Sequence, residues 1–239
     1  MLQLKMSSFE TETIVKGCEL GEGPHWDDRT QALYFSDVPG KFLHRYIPST
    51  KTHDVSKTDT WISIIIPIEG MENKFLISNG LNLSIMSWDA HGSPTIIEKL
   101  ATVEEDKPDN NFNDGKVDDT GRVWIGTMGP ILSDGKIPQG KASLYSFGDK
   151  SQPGIRHHVL HIDPKSPGGG KLLSTVPIPA DQVTSVAFGG PNLTDLYVTS
   201  SSKGLSEEKM AARPLSGSTF CIKGLGVKGL PANSFKWHS

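Results

Sequence analysis

A short β-strand pattern recurs along the chain and limits its possible folds more than any other feature. Each copy is a run of β-branched and aromatic residues that follows a polar turn. The runs are Leu33–Asp37, Phe75–Ser78, Val123–Thr127 and Leu196–Ser200. The first two intervals match the spacing of about 40–50 residues that is typical of β-propeller blades, each built from four short strands. The sequence therefore predicts an all-β chain of the β-propeller type.

The third interval, from residue 123 to residue 196, fits neither one blade nor two. It contains two stretches with turn and linker composition, Gln152–Gly154 and Ser166–Gly170. Either a long insertion or the loss of part of the repeat array would produce this spacing. A β-sandwich with irregular loops is the alternative fold.

Composition narrows the class of protein. The 239 residues include 25 glycines and 16 prolines, with 36% apolar and 21% charged residues, which favours a turn-rich globular domain. A net charge of −3 offers no basic field for nucleic acid. The longest apolar run, Trp61–Ile68, is far shorter than the roughly 20 residues that span a bilayer. We expect neither nucleic acid nor a membrane as partner.

Cysteine usage and the N-terminus bear on location. Cys18 and Cys221 are the two cysteines, too few for a disulfide framework or a metal cluster. No apolar segment with a cleavage site is visible at the N-terminus. These features predict a cytoplasmic protein in which both thiols are free.

Two turn segments carry groups that could act chemically. Glu22 lies between two glycines in Gly21–Trp26, and small neighbours let a ligand approach the backbone closely. Asp109–Lys116 concentrates carboxylate and amide oxygens, which hard cations such as calcium prefer. Taken singly, a glutamate in such a turn is more often only solvated, and an Asn-Asp-Gly sequence is most often only a turn.

Two other patterns are discounted. Gly224–Gly229 matches a dinucleotide-binding pattern, which requires a following helix, but only ten residues remain after it. His157, His158 and His161 have a spacing that points their side chains apart on an extended segment.

Six segments, taken in order, resemble one known family. They are Gly21–Trp26, Phe112–Asp118, Gly121–Met128, Ser185–Gly190, Leu196–Thr199 and Gly224–Gly229. The chain resembles the regucalcin (senescence marker protein), gluconolactonase and luciferin-regenerating enzyme family of six-bladed propellers. The resemblance implies metal-dependent hydrolysis of a sugar lactone at the mouth of the central channel.

The resemblance assigns roles to few residues of this chain. Glu22 matches the metal-binding glutamate, and Asn113 matches a substrate-binding asparagine. Asn111 occupies a substrate-contact position that often holds arginine in the family. The general-base aspartate and a metal-binding asparagine have no counterpart, and Ser78–Leu81, which has suitable letters, lies too early in the chain. Catalytic residues therefore stay unassigned.

The resemblance and the repeats together predict one domain over residues 1–239, an incomplete six-bladed propeller with four to five blades' worth of sequence. The predicted deletion junction lies near residues 148–156. Strands before residue 147 are expected to form two to three blades, and the Ser218–Lys223 strand is expected to join the first blade and close the ring. We expect a regucalcin-like sugar lactone hydrolase of impaired activity that binds a divalent cation (calcium, or zinc, manganese or magnesium). A non-catalytic binding or regulatory protein is the alternative, and a splice form or gene-model product lacking an exon is a third explanation. The oligomeric state is not predicted.

Overall fold

The structure is a computed structural model that describes residues 9–130, 132, 142–147 and 176–237. Within these ranges the chain forms fifteen strands and one short helix. The first nine strands are β1 (Glu10–Val15), β2 (Gly21–Asp27), β3 (Ala32–Asp37), β4 (Phe42–Ile47), β5 (Thr52–Lys57), β6 (Ile65–Pro67), β7 (Lys74–Asn79), β8 (Asn82–Ser87) and β9 (Thr95–Thr102). The remaining elements are β10 (Asn111–Val117), β11 (Val123–Met128), β12 (Leu144–Phe147), β13 (Gln182–Gly189), β14 (Asp195–Ser201), α1 (Glu207–Ala212) and β15 (Thr219–Lys223).

The strands form four separate antiparallel sheets in the described part of the chain. The first sheet is β2-β3-β4-β5, the second is β6-β7-β8-β9, the third is β10-β11-β12, and the fourth is β13-β14-β15-β1. β2 contacts the first strand of each of the other three sheets. Each sheet is built mainly from strands that are consecutive in the chain, and the first strands of the sheets meet at the centre. This is a propeller arrangement, so the predicted all-β propeller class is confirmed.

The sequence repeats correspond to equivalent strands. The four repeated runs lie in β3, β7, β11 and β14, and each of these is the second strand of its sheet. The prediction of two to three blades before residue 147 is confirmed, since three sheets precede that point. The predicted junction at residues 148–156 and the three histidines between 157 and 161 lie outside the described residues.

The sheet that joins the two ends of the chain differs from the expected one. The expectation that Ser218–Lys223 joins the first sheet is wrong. β15 pairs with β14 along one edge and with β1 along the other, so the N-terminal strand is added to the last sheet. The preceding β14 already provides β15 with a neighbouring antiparallel edge, and β1 then covers the outer edge.

Apolar clusters fill the spaces between neighbouring sheets. Trp26, Phe35 and Tyr197 belong to the cluster between the first and fourth sheets, where the Trp26 and Tyr197 rings stack at 5.6 Å. Gly189 permits this packing, because a Cβ there would lie 2.6 Å from Cδ2 of Trp26. Another cluster joins the second and third sheets and includes Phe235.

A C-terminal tail, residues 224–237, runs from the fourth sheet to the second and third. Gly229 N–H donates to Leu193 O at 2.8 Å, and Asn233 Nδ2 donates to Val117 O at 3.1 Å. Further along, Phe235 N–H donates to Pro67 O, and its ring is completely buried. No helix follows Gly229 in the described tail. Among the described residues, no helix is long and apolar enough to cross a membrane.

Candidate functional site

A cavity of about 270 Å³ lies at one end of the sheets. Many of its lining residues lie near the start of the first strand or the end of the second strand of a sheet. These two positions are neighbours because the two strands run antiparallel. The lining residues are Leu20, Glu22, Val38, Pro39, Trp61, Ser63, Asn111, Phe112, Asn113, Met128, Gly129 and Lys203. The three predicted site residues, Glu22, Asn111 and Asn113, are therefore brought together, while their roles stay predictions.

Glu22 is positioned by an irregularity at the start of β2. The pairing of β2 with β3 shifts register between Glu22 and His25, and Gly23 has a φ of +58° in the left-handed region. A side chain at Gly23 would collide with the backbone carbonyl of Ser63. Only glycine fits this bulge without strain, so Gly23 lets β2 approach the second sheet beside the cavity.

Burial raises the pKa of Glu22 to about 7. The negative charge of Asp114 adds to this effect, while a hydrogen bond from the Gly23 backbone and the positive charge of Lys116 oppose it. Lys116 also ties the third sheet to the first, because its Nζ donates to Pro24 O at 3.2 Å. The carboxyl group of Glu22 therefore lies in a partly desolvated site with charges of both signs near it.

Asn111 and Asn113 lie on β10 with Phe112 between them. Phe112 is 4% exposed and belongs to the apolar cluster between the second and third sheets, and all three residues contribute to the cavity lining. The backbone N–H of Phe112 donates to Gly80 O at 3.0 Å. This bond ties the start of β10 to the second sheet and thereby positions both amides.

Glu104 supports the loop that leads into β10. Its buried carboxylate accepts hydrogen bonds from Asn110 Nδ2 and Ser143 Oγ, both at 2.8 Å, and from Lys107 Nζ at 3.1 Å. Burial acts to raise the pKa of Glu104, but these hydrogen bonds outweigh it and lower the pKa to about 2. The carboxylate therefore stays charged and links the loop to the residue just before β12.

Lys203 and Trp61 also line the cavity, and neither is among the site residues predicted from the sequence. Lys203 Nζ lies 5.3 Å from the centre of a Trp61 ring and 3.9 Å from Glu19 Oε1. Neither residue belongs to a recognisable motif, and they come from loops far apart in sequence. Only a prediction of which loops share one end of the propeller could have found them.

Ser78–Leu81 does not contribute to the cavity. Asn79 ends β7 and pairs with Asn82 across the turn into β8, and Gly80 adopts a φ of +62°. The segment is a hairpin turn between β7 and β8.

The cavity provides few ligands for a metal ion. Among the described residues, no group of three or more His, Cys, Asp or Glu side chains could hold one. The cavity offers the Glu22 carboxylate and neutral oxygens from Asn111, Asn113 and Ser63, with the ammonium group of Lys203 in the same lining. Calcium usually takes six to eight oxygen ligands, so the described donor set alone does not fit such an ion.

Separate antiparallel sheets whose first strands meet, with a cavity at one end, place the chain among the β-propeller proteins. Within that class, the chain belongs to the family described as the SMP-30/Gluconolactonase/LRE-like region, which matches residues 20–159 and 154–202. This confirms the family resemblance predicted from the sequence.

Individual relatives cover nearly the whole chain. A luciferin-regenerating enzyme of known structure is 30% identical, with a TM-score of 0.75, covering 96% of this chain and 100% of its own. Regucalcin from Agrobacterium tumefaciens, described as a calcium-binding protein, is 21% identical with a TM-score of 0.77, covering 96% and 98%, and supports the fold alone. Regucalcin from Xenopus laevis is 27% identical, covering 96% of this chain and 99% of its own.

The alignment with the Xenopus protein is longer than this chain. It occupies 312 positions, whereas the chain has 239 residues. The relative therefore has segments with no counterpart here, in agreement with a propeller that is incomplete compared with the family.

Proposed function

We propose that the cavity binds a sugar lactone and that the chain hydrolyses it with reduced activity. The observation that carries the proposal is the convergence of Glu22, Asn111 and Asn113 on one cavity in a member of a family that includes gluconolactonases. In such a hydrolysis, water adds to the carbonyl carbon and the ring C–O bond breaks, giving a hydroxy acid. The Asn111 and Asn113 amides can hold sugar hydroxyls, since each amide donates and accepts hydrogen bonds.

Dependence on a divalent cation is a further part of the proposal. By resemblance, Glu22 would bind calcium, or zinc, manganese or magnesium. The described residues supply one carboxylate at the cavity, so we expect weak binding with most ligands provided by water. The lack of an assigned general base is expected to lower the rate by roughly 100-fold to 10,000-fold.

Acid release from δ-gluconolactone, followed at constant pH with the full chain, tests the activity. Uncatalysed hydrolysis is measured without protein, and each reaction is repeated with EDTA and with added calcium, zinc or manganese. We expect slow hydrolysis above background that Glu22→Gln removes. Glu98→Gln is the matched control, because Glu98 is exposed on β9 and does not line the cavity.

Two results would contradict the proposal. A turnover near the enzyme median of about 10 s⁻¹ would disprove the reduced activity. Hydrolysis no faster than background under every metal condition would disprove the lactonase itself.

A non-catalytic binding protein is the second candidate. The incomplete donor set at the cavity favours it, because ligand binding needs no general base. Isothermal titration with calcium, combined with the hydrolysis assay, separates the two. Absence of both cation binding and hydrolysis supports this candidate, and tight one-to-one cation binding argues against it.

For either candidate we propose a cytoplasmic location, which imaging of the tagged full-length chain would test.

A further inference from the structure

The cavity carries one group of each charge. Among the described lining residues, Glu22 is the single acid and Lys203 is the single base. The other polar groups are two asparagine amides, one serine hydroxyl and the Trp61 indole. Such a lining suits a small ligand that is neutral and hydroxylated at one end and negatively charged at the other.

The ammonium group of Lys203 has unused donor capacity. Its Nζ carries three N–H donors, yet in the described part of the chain no hydrogen bond from it is formed. The Glu19 carboxylate lies 3.9 Å away and is 48% exposed, a distance and exposure at which an ion pair contributes little. The Trp61 ring at 5.3 Å attracts the cation but accepts no conventional hydrogen bond.

The backbone of Lys203 is firmly held although its ammonium group is not. The Lys203 N–H donates to Glu19 O and to Ser201 Oγ, both at 3.0 Å. Ser201 Oγ in turn donates to Glu19 O at 2.8 Å. These bonds hold the loop after β14 against the segment that leads into β2, and the Lys203 side chain reaches the cavity from this fixed backbone.

We propose that Lys203 binds the carboxylate of a hydroxylated carboxylic acid in this cavity. The ligand's hydroxyl groups lie toward Asn111 and Asn113. Glu22 reinforces this orientation in its ionised form, because the negative charge then disfavours a carboxylate placed beside it. The inference rests on the proposed function for its choice of acid, since hydrolysis of a sugar lactone produces a polyhydroxy acid.

Isothermal titration of the full chain with sodium gluconate tests the inference without relying on turnover. We expect Lys203→Met to weaken gluconate binding by about tenfold or more, in line with the loss of a charge-assisted hydrogen bond. Lys203→Arg is expected to retain most of the affinity. Lys57→Met is the matched control, because Lys57 is an exposed lysine at the end of β5 outside the cavity.

Two further comparisons test whether the affinity for gluconate depends on the positive charge of Lys203. Binding of sorbitol, which lacks the carboxylate, is expected to be equally weak in the natural chain and in Lys203→Met. Glu19→Gln is expected to change gluconate binding by less than about threefold, because the exposed Glu19 carboxylate pairs only weakly with Lys203. Thermal unfolding of each variant shows whether the fold is retained.

Gluconate binding that is the same in the natural chain and in a folded Lys203→Met variant would overturn the inference. So would the absence of gluconate binding by the natural chain. Lactone hydrolysis measured in parallel reports separately on the proposed function, since hydrolysis without product binding leaves that proposal standing while this inference fails.

Discussion

The ring of Phe235 fills the space between the second and third sheets, and replacing it tests how much the C-terminal tail stabilises the fold. Phe235 is fully buried among apolar residues of both sheets. Its ring stacks against those of Phe147 and Trp237, with centroids 6.2 and 6.3 Å away. Removing a buried phenyl ring by substitution with alanine usually costs about 3–5 kcal/mol, because apolar contacts are lost and a cavity remains.

That cost is large beside the total stability of about 5–15 kcal/mol that is usual for folded proteins. The backbone of Phe235 adds to the effect, since its N–H donates to Pro67 O at 3.0 Å and its carbonyl accepts from Glu69 N–H at 2.9 Å. Once the ring no longer holds the tail, these bonds are expected to open as well. Phe235→Leu keeps most of the volume and should cost less than about 1.5 kcal/mol.

Urea denaturation followed by tryptophan fluorescence measures the loss. The matched control is Leu230→Ala in the same tail, because Leu230 is 86% exposed and its removal should change the free energy of unfolding by less than about 0.5 kcal/mol. If Phe235→Ala proves no more destabilising than Leu230→Ala, the tail does not join the two sheets as described.

Three further predictions concern the site and its support. Gly23→Ala should lower the midpoint of thermal unfolding much more than Gly70→Ala. Both glycines have a positive φ, but only a new Cβ at position 23 meets backbone atoms. An equal fall in the midpoint for both variants would contradict the close approach of β2 to Ser63. Burial lowers the pKa of His25 to about 3, so unfolding becomes easier as pH falls from about 6.5, where the unfolded histidine gains a proton, toward 3. Urea titrations of His25→Gln should show a pH dependence about 1.4 kcal/mol per pH unit shallower in that window, and an unchanged slope would refute this. Glu104→Gln should destabilise the fold by about 1–3 kcal/mol in urea denaturation. It should also weaken gluconate binding, because the loop before Asn111 becomes less firmly held. Unchanged stability would show that the hydrogen bonds of Glu104 contribute nothing.

The repeat of apolar runs predicts most of the described sheets, because each run is a second strand buried by its neighbours. Phe35, Leu76 and Ile125 are buried at these positions, and side-chain burial in a strand leaves a visible pattern in sequence. The partner of β15 is not predictable in this way. Edge pairing depends on which strand reaches a free edge in space, and no local pattern records it.

The candidate site is likewise predictable from the sequence only in part. Glu22, Asn111 and Asn113 lie in segments that the family resemblance identifies as ligand-binding, and they do line one cavity. Lys203 and Glu104 lie in unremarkable polar loops, and their importance comes from contacts with residues distant in sequence. In the sequence, neither residue can be distinguished from a lysine or glutamate on the solvated surface.

The central position of β2 explains how a shortened member of the family can retain part of the cavity. β2 contacts β6, β10 and β13, so the strand that carries Glu22 is packed against every other sheet in the described structure. On the side of the fourth sheet, Thr184 Oγ1 donates to Gly21 O and shares a hydrogen bond of 2.9 Å with Thr199 Oγ1. On the side of the third sheet, Lys116 Nζ bonds to Pro24 O. Because these contacts flank Glu22 on both sides and come from the third and fourth sheets, sheets that this chain retains hold the geometry around Glu22 in place.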